Sequence, residues 1–209
     1  MTKKPKFEIK ASVVDIKECS IGEDDVLMVD SNVWYWTTCS NASEKINAAP
    51  YQIKQYPQFL KKAKKSGVRL WHSGLSLSEI GHLIENFYLD IYRKTKNLDI
   101  SKKAFRHNLS DERRNVVEEI YLAWEQVENF SENLPCSIDR SNTQWAVEKM
   151  AKARLDGYDL FILHSMIDNN VLNILTDDGV FATVEGIKVF TANKNVLMKA
   201  SEAGKLVRF

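Results

Sequence analysis

The chain has 209 residues, of which 44% are hydrophobic and 27% are charged, and its formal net charge is only +1. This length and composition predict one globular domain with a conventional core and exclude a chain that is disordered throughout. The nearly balanced charge excludes a general polyanion binder, so any contact with nucleic acid must come from local basic patches.

The cysteines and the hydropathy pattern indicate a cytoplasmic protein. Cys19, Cys39 and Cys136 are widely spaced and odd in number, which favours free thiols in a reducing compartment over a disulfide framework or a zinc site. The basic N-terminus lacks the apolar core of a secretory signal. No window reaches the roughly 18 uninterrupted apolar residues that a membrane span requires.

The first elements are predicted to be an extension and then a buried strand. Residues 1–25 form the N-terminal extension, which ends in the acidic turn GEDD. Within it, apolar residues alternate as in a strand at Phe7, Ile9, Ala11 and Val13. Residues 26–30 (VLMVD) are a continuous apolar run that ends in an aspartate, which is typical of a strand covered on both faces of a parallel sheet.

The middle of the chain is predicted to contain a helix, a second core strand and a helical insertion. Residues 51–65 have a helical pattern, and we expect that helix to break or restart near Pro57 and to stop at Gly67. Residues 68–73 (VRLWHS) predict the second strand. Helical spacing follows it and continues into an insertion at residues 85–150.

The last third of the chain returns to alternating helices and strands. Residues 157–170 predict a helix, and the strands NILTD and IKVFT precede a closing helix near residues 195–203. This alternation predicts an α/β fold, namely three α/β/α layers with a central, mostly parallel sheet in one domain. Ligands of such sheets bind at the carboxyl ends of strands, where Asp30 and Asp177–Asp178 are expected to lie.

Two further acids are predicted to reach the same edge of the sheet. Glu79 lies near the start of the helix after the second strand, and Asp159 or Asp156 lies near the start of the helix before NILTD. A pair of carboxylates about 5 Å apart repels by roughly 3 kcal/mol at an effective dielectric constant near 20. The group would need raised pKa values or a divalent cation, and carboxylate oxygen and water are the ligands that Mg²⁺ or Mn²⁺ prefers.

Each acid also has a purely structural interpretation. Asp30 is suited to cap the helix that follows it, and Glu79 stands three residues after Ser76, the spacing of a capping box. Asp159 favours the positive end of its helix, for which Asp156 is a suitable cap. Residues 177–179 (DDG) have the composition of a turn.

Four short motifs occur in order along the chain. An apolar strand ends in Asp-Ser-Asn at residues 30–32, and a helix opens with Glu79 in LSLSE. Asp159 begins the helix before the strand NILTD, and that strand runs into Thr-Asp-Asp-Gly-Val-Phe at residues 176–181. Together these motifs resemble those of a PIN domain, a metal-dependent nuclease with an α/β/α fold. In that register Asp178 is the family acid and Asp177 is an auxiliary or turn residue.

The resemblance covers roughly residues 26–84 and 154–192, and it implies a set of catalytic residues. The acids that would position one or two Mg²⁺ or Mn²⁺ ions, directly or through water, are Asp30, Glu79, Asp159 and Asp178. The neighbours that would support them by hydrogen bonds are Ser31, Asn32, Thr176 and Asp177.

The function that the resemblance implies is hydrolysis of RNA phosphodiester bonds, because most PIN domains cut RNA. It also implies a candidate toxin of a toxin–antitoxin pair, with a protein antitoxin and a second copy of the chain as partners. One alternative is a non-catalytic RNA- or protein-binding module on the same fold. Another is a phosphoryl-transfer enzyme of a different α/β family. That one is disfavoured because Asp-Ser-Asn lacks a second Asp two residues on and no glycine-rich phosphate loop follows a strand.

Two basic clusters are candidates for binding the RNA substrate. The first includes Lys61 and Lys62, and the second includes Lys102, Lys103 and Arg106 in the insertion. Either cluster is suited to follow a phosphate backbone. The alternative for both is an ordinary solvated helix face.

Overall fold

A seven-stranded parallel sheet forms the centre of residues 8–44 and 48–208, the part of the chain that this computed structural model describes. The strands are β1 (Ser12–Asp15), β2 (Val26–Val29), β3 (Arg69–His72), β4 (Glu132–Asn133), β5 (Asn173–Leu175), β6 (Lys188–Thr191) and β7 (Leu206–Val207). Their order across the sheet is β4-β3-β2-β5-β6-β1-β7, and every neighbouring pair is parallel.

Eight α-helices of the described residues surround this sheet. They are α1 (Ser31–Thr38), α2 (Pro50–Lys65), α3 (Ser76–Lys96), α4 (Lys102–Asn108), α5 (Ser110–Phe130), α6 (Arg140–Met150), α7 (Gly157–Asp168) and α8 (Lys194–Glu202). Helices α1 to α5 share one hydrophobic core with the sheet, and α6, α7 and α8 share a second core on its other face. The predicted three-layer α/β/α fold with a parallel sheet is therefore confirmed.

Strand β2 shows why the continuous apolar run was informative. Leu27 and Val29 belong to the core on one face, and Met28 belongs to the core on the other. All three side chains are 0% exposed. Successive residues of a strand point to opposite faces, so a strand that is covered on both sides needs apolar residues at every position.

Helix α2 differs from its prediction at Pro57. The helix runs without interruption from Pro50 to Lys65 and contains Pro57, so the expected break is wrong. A proline removes one helical hydrogen bond, but Tyr56, next to Pro57, is fully buried in the core and holds the helix in place. The predicted stop is confirmed, because Gly67 follows the helix with a φ of +78°, which favours glycine.

The N-terminal extension and the insertion both contribute to the sheet. Strand β1 lies between β6 and β7, so residues 12–15 are an inner part of the core. Phe7, the first residue of the predicted alternation, lies outside the described residues. The insertion at residues 85–150 is mainly helical, as predicted, and it adds the short edge strand β4 next to β3.

Two remaining predictions concern the thiols and the membrane. Cys19, Cys39 and Cys136 form no disulfide in the part of the chain that the structure describes. Among residues 8–44 and 48–208, no helix has both the length and the apolar content that a membrane crossing requires.

Candidate functional site

The carboxyl edge of the sheet brings together two segments that are far apart in the sequence. Strands β2 and β5 are neighbours, with Val29 opposite Leu175. The backbone N–H of Asp30 donates to the carbonyl oxygen of Leu175 at 3.0 Å. Asp30 and Thr176, the residues that follow these strands, therefore lie side by side at the centre of the edge.

Asp30 is almost fully buried, and three donors hold its carboxylate. Oδ1 accepts from the backbone N–H of Ser31 at 2.7 Å. Oδ2 accepts from Nδ2 of Asn32 and from Oγ1 of Thr176, each at 2.5 Å. Burial raises the pKa of Asp30 to about 7, and nearby carboxylates add to the rise, while the hydrogen bonds from Thr176 and Ser31 oppose it. Asp30 thus caps α1 and also faces the other acids.

Glu79 lies in the first turn of α3, and its hydrogen-bond partner is Ser31 at the start of α1. Oγ of Ser31 donates a hydrogen bond to Oε2 of Glu79. The capping box is wrong, because α3 begins at Ser76 itself and the buried Ser76 hydroxyl has no hydrogen-bond partner among the described residues. Burial raises the pKa of Glu79, and the charges of Asp156 and Asp178 add to this rise.

Helix α7 separates the roles of Asp156 and Asp159. Asp156 is exposed and caps the helix, because its Oδ1 accepts from the backbone N–H of Asp159 at 3.4 Å. Asp159 is partly buried, and burial is the main cause that raises its pKa to about 8. The charges of Asp30, Asp156 and Glu79 raise it further. Asp159 is therefore the partly buried acid of α7 in this group, and Asp156 caps the helix while its charge also raises the pKa values of Glu79 and Asp159.

The two adjacent aspartates after β5 have different partners. Asp177 is held by α2, where Nε2 of Gln52 donates to Oδ2 at 2.5 Å and the hydroxyl of Tyr56 donates to Oδ1 at 2.7 Å. Asp178 is exposed, and its backbone N–H donates to Oγ1 of Thr176 at 2.9 Å. The charge of Asp178 raises the pKa values of the other three acids. Asp177 therefore fixes the loop, and Asp178 belongs to the acidic group.

The polar residues that were expected to support the acids form one hydrogen-bond network. Nδ2 of Asn32 lies 3.2 Å from Oγ1 of Thr176, and Oδ1 of Asn32 accepts from the backbone N–H of Asp177 at 3.0 Å. Together with the contacts of Ser31, these bonds join the ends of β2 and β5 to the start of α3. The orientation of the carboxylates is therefore set by rigid elements.

Tyr56 is a site residue that the sequence did not reveal. Its buried hydroxyl accepts from the backbone N–H of Ala192 at 3.1 Å while it donates to Asp177. Burial raises its pKa, which keeps the hydroxyl protonated. Asn193 supports the same loop, because its Nδ2 donates to the carbonyl oxygen of Asp177 at 2.8 Å. Only Asn193 had a sequence signal, as an Asn directly before a helix.

The oxygen-rich group fits the hard divalent cations Mg²⁺ and Mn²⁺. Without a cation, burial and the neighbouring carboxylates favour the protonated forms of Asp30 and Asp159, whose pKa values are raised. Within residues 8–44 and 48–208, no three Asp, Glu, His or Cys side chains converge closely enough to ligate one ion directly. A cation held by these acids would therefore be bound partly through water, and Mg²⁺ commonly keeps several of its waters.

The likeness of this chain to known proteins is slight. No model of a known protein family matches it, and no curated protein matches it. A solved structure, the crystal structure of PAE2754 from Pyrobaculum aerophilum, is similar over 85% of this chain and 90% of that chain, with 14% identity and a TM-score of 0.39. A TM-score below 0.5 supports no conclusion about function.

The first predicted basic cluster, which includes Lys61 and Lys62, does not lie at the acidic edge of the sheet. Gln52, near the start of α2, contacts the acidic edge, and the helix then runs away from that edge toward Gly67. Lys61 and Lys62 lie in the second half of α2, and Nζ of Lys62 donates to the carbonyl oxygen of Cys19 at 3.2 Å.

The second predicted basic cluster lies on α4, and its members differ in their contacts. Lys103 is exposed. Arg106 donates from Nε and Nη2 to the carboxylate of Glu85 on α3, and Nζ of Lys102 lies 3.8 Å from Oε2 of Glu85. Sequence reasoning missed Glu85 because its partners belong to two other helices, α4 and α5.

Proposed function

We propose that the protein is a metal-dependent endoribonuclease that hydrolyses RNA phosphodiester bonds. The observation that carries this proposal is the group of four carboxylates from β2, α3, α7 and the loop after β5, whose charges act on one another at one edge of the sheet. Structural ion-pair networks seldom collect like charges in this way, whereas sites for divalent cations require it. RNA as the substrate rests on the resemblance to PIN domains.

The residues that would hold one or two Mg²⁺ or Mn²⁺ ions, directly or through water, are Asp30, Glu79, Asp159 and Asp178. When bound, such ions act as Lewis acids that activate water and offset phosphate charge. The chain itself fixes the carboxylates before substrate arrives. Thr176 and Asn32 orient Asp30, and Ser31 orients Glu79.

The proposal is tested by cleavage of a structured RNA in the presence of Mn²⁺. We expect Asp30→Asn and Asp178→Asn to lose activity by on the order of 100-fold, because each removes a charge from the group. Asp24→Asn, at an exposed acid in the connection between β1 and β2, is the matched control and should cleave like the wild type. If the wild type, the two site variants and the control all cleave the RNA equally, the protein is not a nuclease that uses these acids.

We further propose that the enzyme acts in the cytoplasm as the toxin of a toxin–antitoxin pair. This finer assignment rests on the resemblance to PIN domains alone. Its partners would be a second copy of the chain, in a homodimer, and a protein antitoxin. A neighbouring gene for a small DNA-binding protein would support the antitoxin, and light scattering of the purified protein would test the dimer. A monomer without such a neighbouring gene would count against this role.

The second candidate function is a non-catalytic RNA- or protein-binding module. It is favoured by the observation that no three ligating side chains of the described residues converge on one point. Calorimetric titration with Mn²⁺ separates the two candidates. Saturable binding that is lost in Glu79→Gln supports the nuclease, and the absence of binding in the wild type supports the module.

A further inference from the structure

A groove lies along α3, between that helix and helices α4 and α5. It has a volume of about 390 Å³ and is lined by residues of α3, α4 and α5. Ser78 and His82, which flank Glu79 on α3, line one part of it, and Arg106 and Arg113 line another. His82 is close enough for its charge to lower the pKa of Glu79. Ser78 and His82 therefore place one part of the groove next to Glu79 along α3.

Three cations share one buried carboxylate in this groove. The Glu85 side chain is only 3% exposed, and Arg106 binds it through two nitrogens. Nη1 of Arg113 lies 3.5 Å from Oε1 of Glu85, and Nζ of Lys102 lies 3.8 Å from Oε2. Three positive charges and one negative charge leave a local excess of two positive charges.

The cations remain available to a ligand. The side chains of Lys102, Arg106 and Arg113 are 36%, 40% and 41% exposed. A guanidinium group has five N–H donors, and a carboxylate occupies two of them at most, so each arginine can hold a phosphate with those that remain. Glu85 thus acts as a buried support that fixes the direction of both arginines.

Apolar residues accompany the cations. Leu77, Val117 and Ile120 line the groove, and Tyr121, one turn after Val117, is 65% exposed. In grooves that bind single-stranded nucleic acid, cations follow the phosphates and aromatic side chains stack on the bases. Tyr121, which is next to the lining residue Ile120 in the sequence, is an exposed aromatic residue near this groove. A small inorganic anion would contact the cations but would leave the apolar residues of the groove without a partner.

We propose that this groove binds the backbone of single-stranded RNA next to the scissile bond, with Glu85 as the positioning residue for Arg106 and Arg113. The proposal rests on the nuclease function and deepens it. Glu79 and Glu85 are six residues apart on α3, which is about 9 Å along the helix axis. The phosphates held by the arginines therefore lie within a few nucleotides of the cleaved bond.

The test is fluorescence anisotropy of a labelled single-stranded RNA 12-mer in EDTA, at several salt concentrations. We expect Arg113→Gln to weaken binding at least about 5-fold and to reduce the slope of log K against log salt by about 0.7, the value for one phosphate contact on a single strand. Arg113→Lys keeps the charge and should restore most of the slope. Arg114→Gln removes an arginine next along α5 whose side chain is 75% exposed and lies near Asp111, and it should bind like the wild type.

The outcomes separate this proposal from the nuclease assignment. If Arg113→Gln and Arg106→Gln bind RNA as the wild type does, while the wild type cleaves RNA with Mn²⁺, the groove proposal is overturned and the nuclease stands. If the wild type neither binds nor cleaves RNA, both fall. If polyglutamate but not RNA binds in an Arg113-dependent way, the groove is a site for an acidic protein and the proposal is overturned. Thermal melting checks that each variant is folded.

Discussion

Two glutamates on the same helix have opposite surroundings. Glu79, at the start of α3, lies among other acids, and burial raises its pKa. Glu85, less than two turns later, receives hydrogen bonds from Arg106 that lower its pKa, with Lys102 and Arg113 adding to the effect. Because the residue type and the helix are the same, only the neighbours supplied by other segments distinguish the two.

The comparison shows that one helix contributes to two groups of opposite net charge. Glu79, in the first turn of α3, belongs to a group with excess negative charge. Glu85, in the third turn, belongs to a group with excess positive charge. A nuclease that uses metal ions needs both, a short distance apart.

The largest expected effect concerns the acidic group and pH. Asp30 and Asp159 have pKa values of about 7 and about 8, above their ordinary values. The folded protein therefore keeps protons that the unfolded chain has released, so their contribution to stability is complete below about pH 4 and is lost as the pH rises to about 8.

In metal-free buffer, Asp159→Asn should therefore be more stable than the wild type at pH 8 by roughly 3 kcal/mol and nearly equal to it at about pH 4. Urea unfolding at a series of pH values measures this difference. Asp24→Asn should show no such trend. If the free energies of unfolding of Asp159→Asn and the wild type differ by the same amount at every pH, Asp159 does not interact electrostatically with the other acids.

The next effect concerns metal ions. A bound cation stabilises the folded state by about 2.7 kcal/mol when its concentration is 100 times Kd. We expect Mn²⁺ to raise the melting temperature of the wild type and of Glu85→Gln, and EDTA to reverse the rise. Glu79→Gln should show little or no rise. If Mn²⁺ raises the melting temperature of Glu79→Gln as much as that of the wild type, Glu79 does not differ from Glu85 in holding the ion.

A smaller effect is expected when Glu85 loses its charge. Glu85→Gln removes the charge that pairs with three cations, so it should lower the free energy of unfolding at pH 7. The loss should be only about 1–2 kcal/mol, because solvent partly screens those cations. Since the pKa of Glu85 is lowered, its stabilisation is present above the ordinary glutamate pKa and is lost as the pH falls through the lowered one. The difference from the wild type should therefore shrink below about pH 4. Glu125→Gln, at an exposed position of α5, is the control.

The smallest effect is expected at Tyr56. Tyr56→Phe removes the hydroxyl that holds Asp177 and accepts from Ala192, and it should cost about 1 kcal/mol of stability. Tyr121→Phe changes the same group at an exposed site and should cost almost nothing. If the two variants are equally stable, the hydroxyl of Tyr56 does not support the loop after β5.

Elements that depend on nearby residues were predictable from the sequence. The unbroken apolar run of β2 predicted a strand covered on both faces, and Gly67 predicted the end of α2. Asp156 was identified as a suitable cap for α7, because a cap acts on backbone groups only two or three residues away. The layers of the fold followed from the alternation of such elements.

Which side chains meet depends on how the elements pack, and this was not predictable from the sequence. The order of strands places Asp30 beside Thr176, and packing gives Glu79 the partner Ser31 instead of Ser76. Burial of the neighbouring Tyr56 also keeps α2 intact at Pro57. The short strands β4 and β7 have two residues each, too few for a periodic pattern. Contacts of this kind join segments that are far apart in the chain, and their free energy depends on packing that no local pattern encodes.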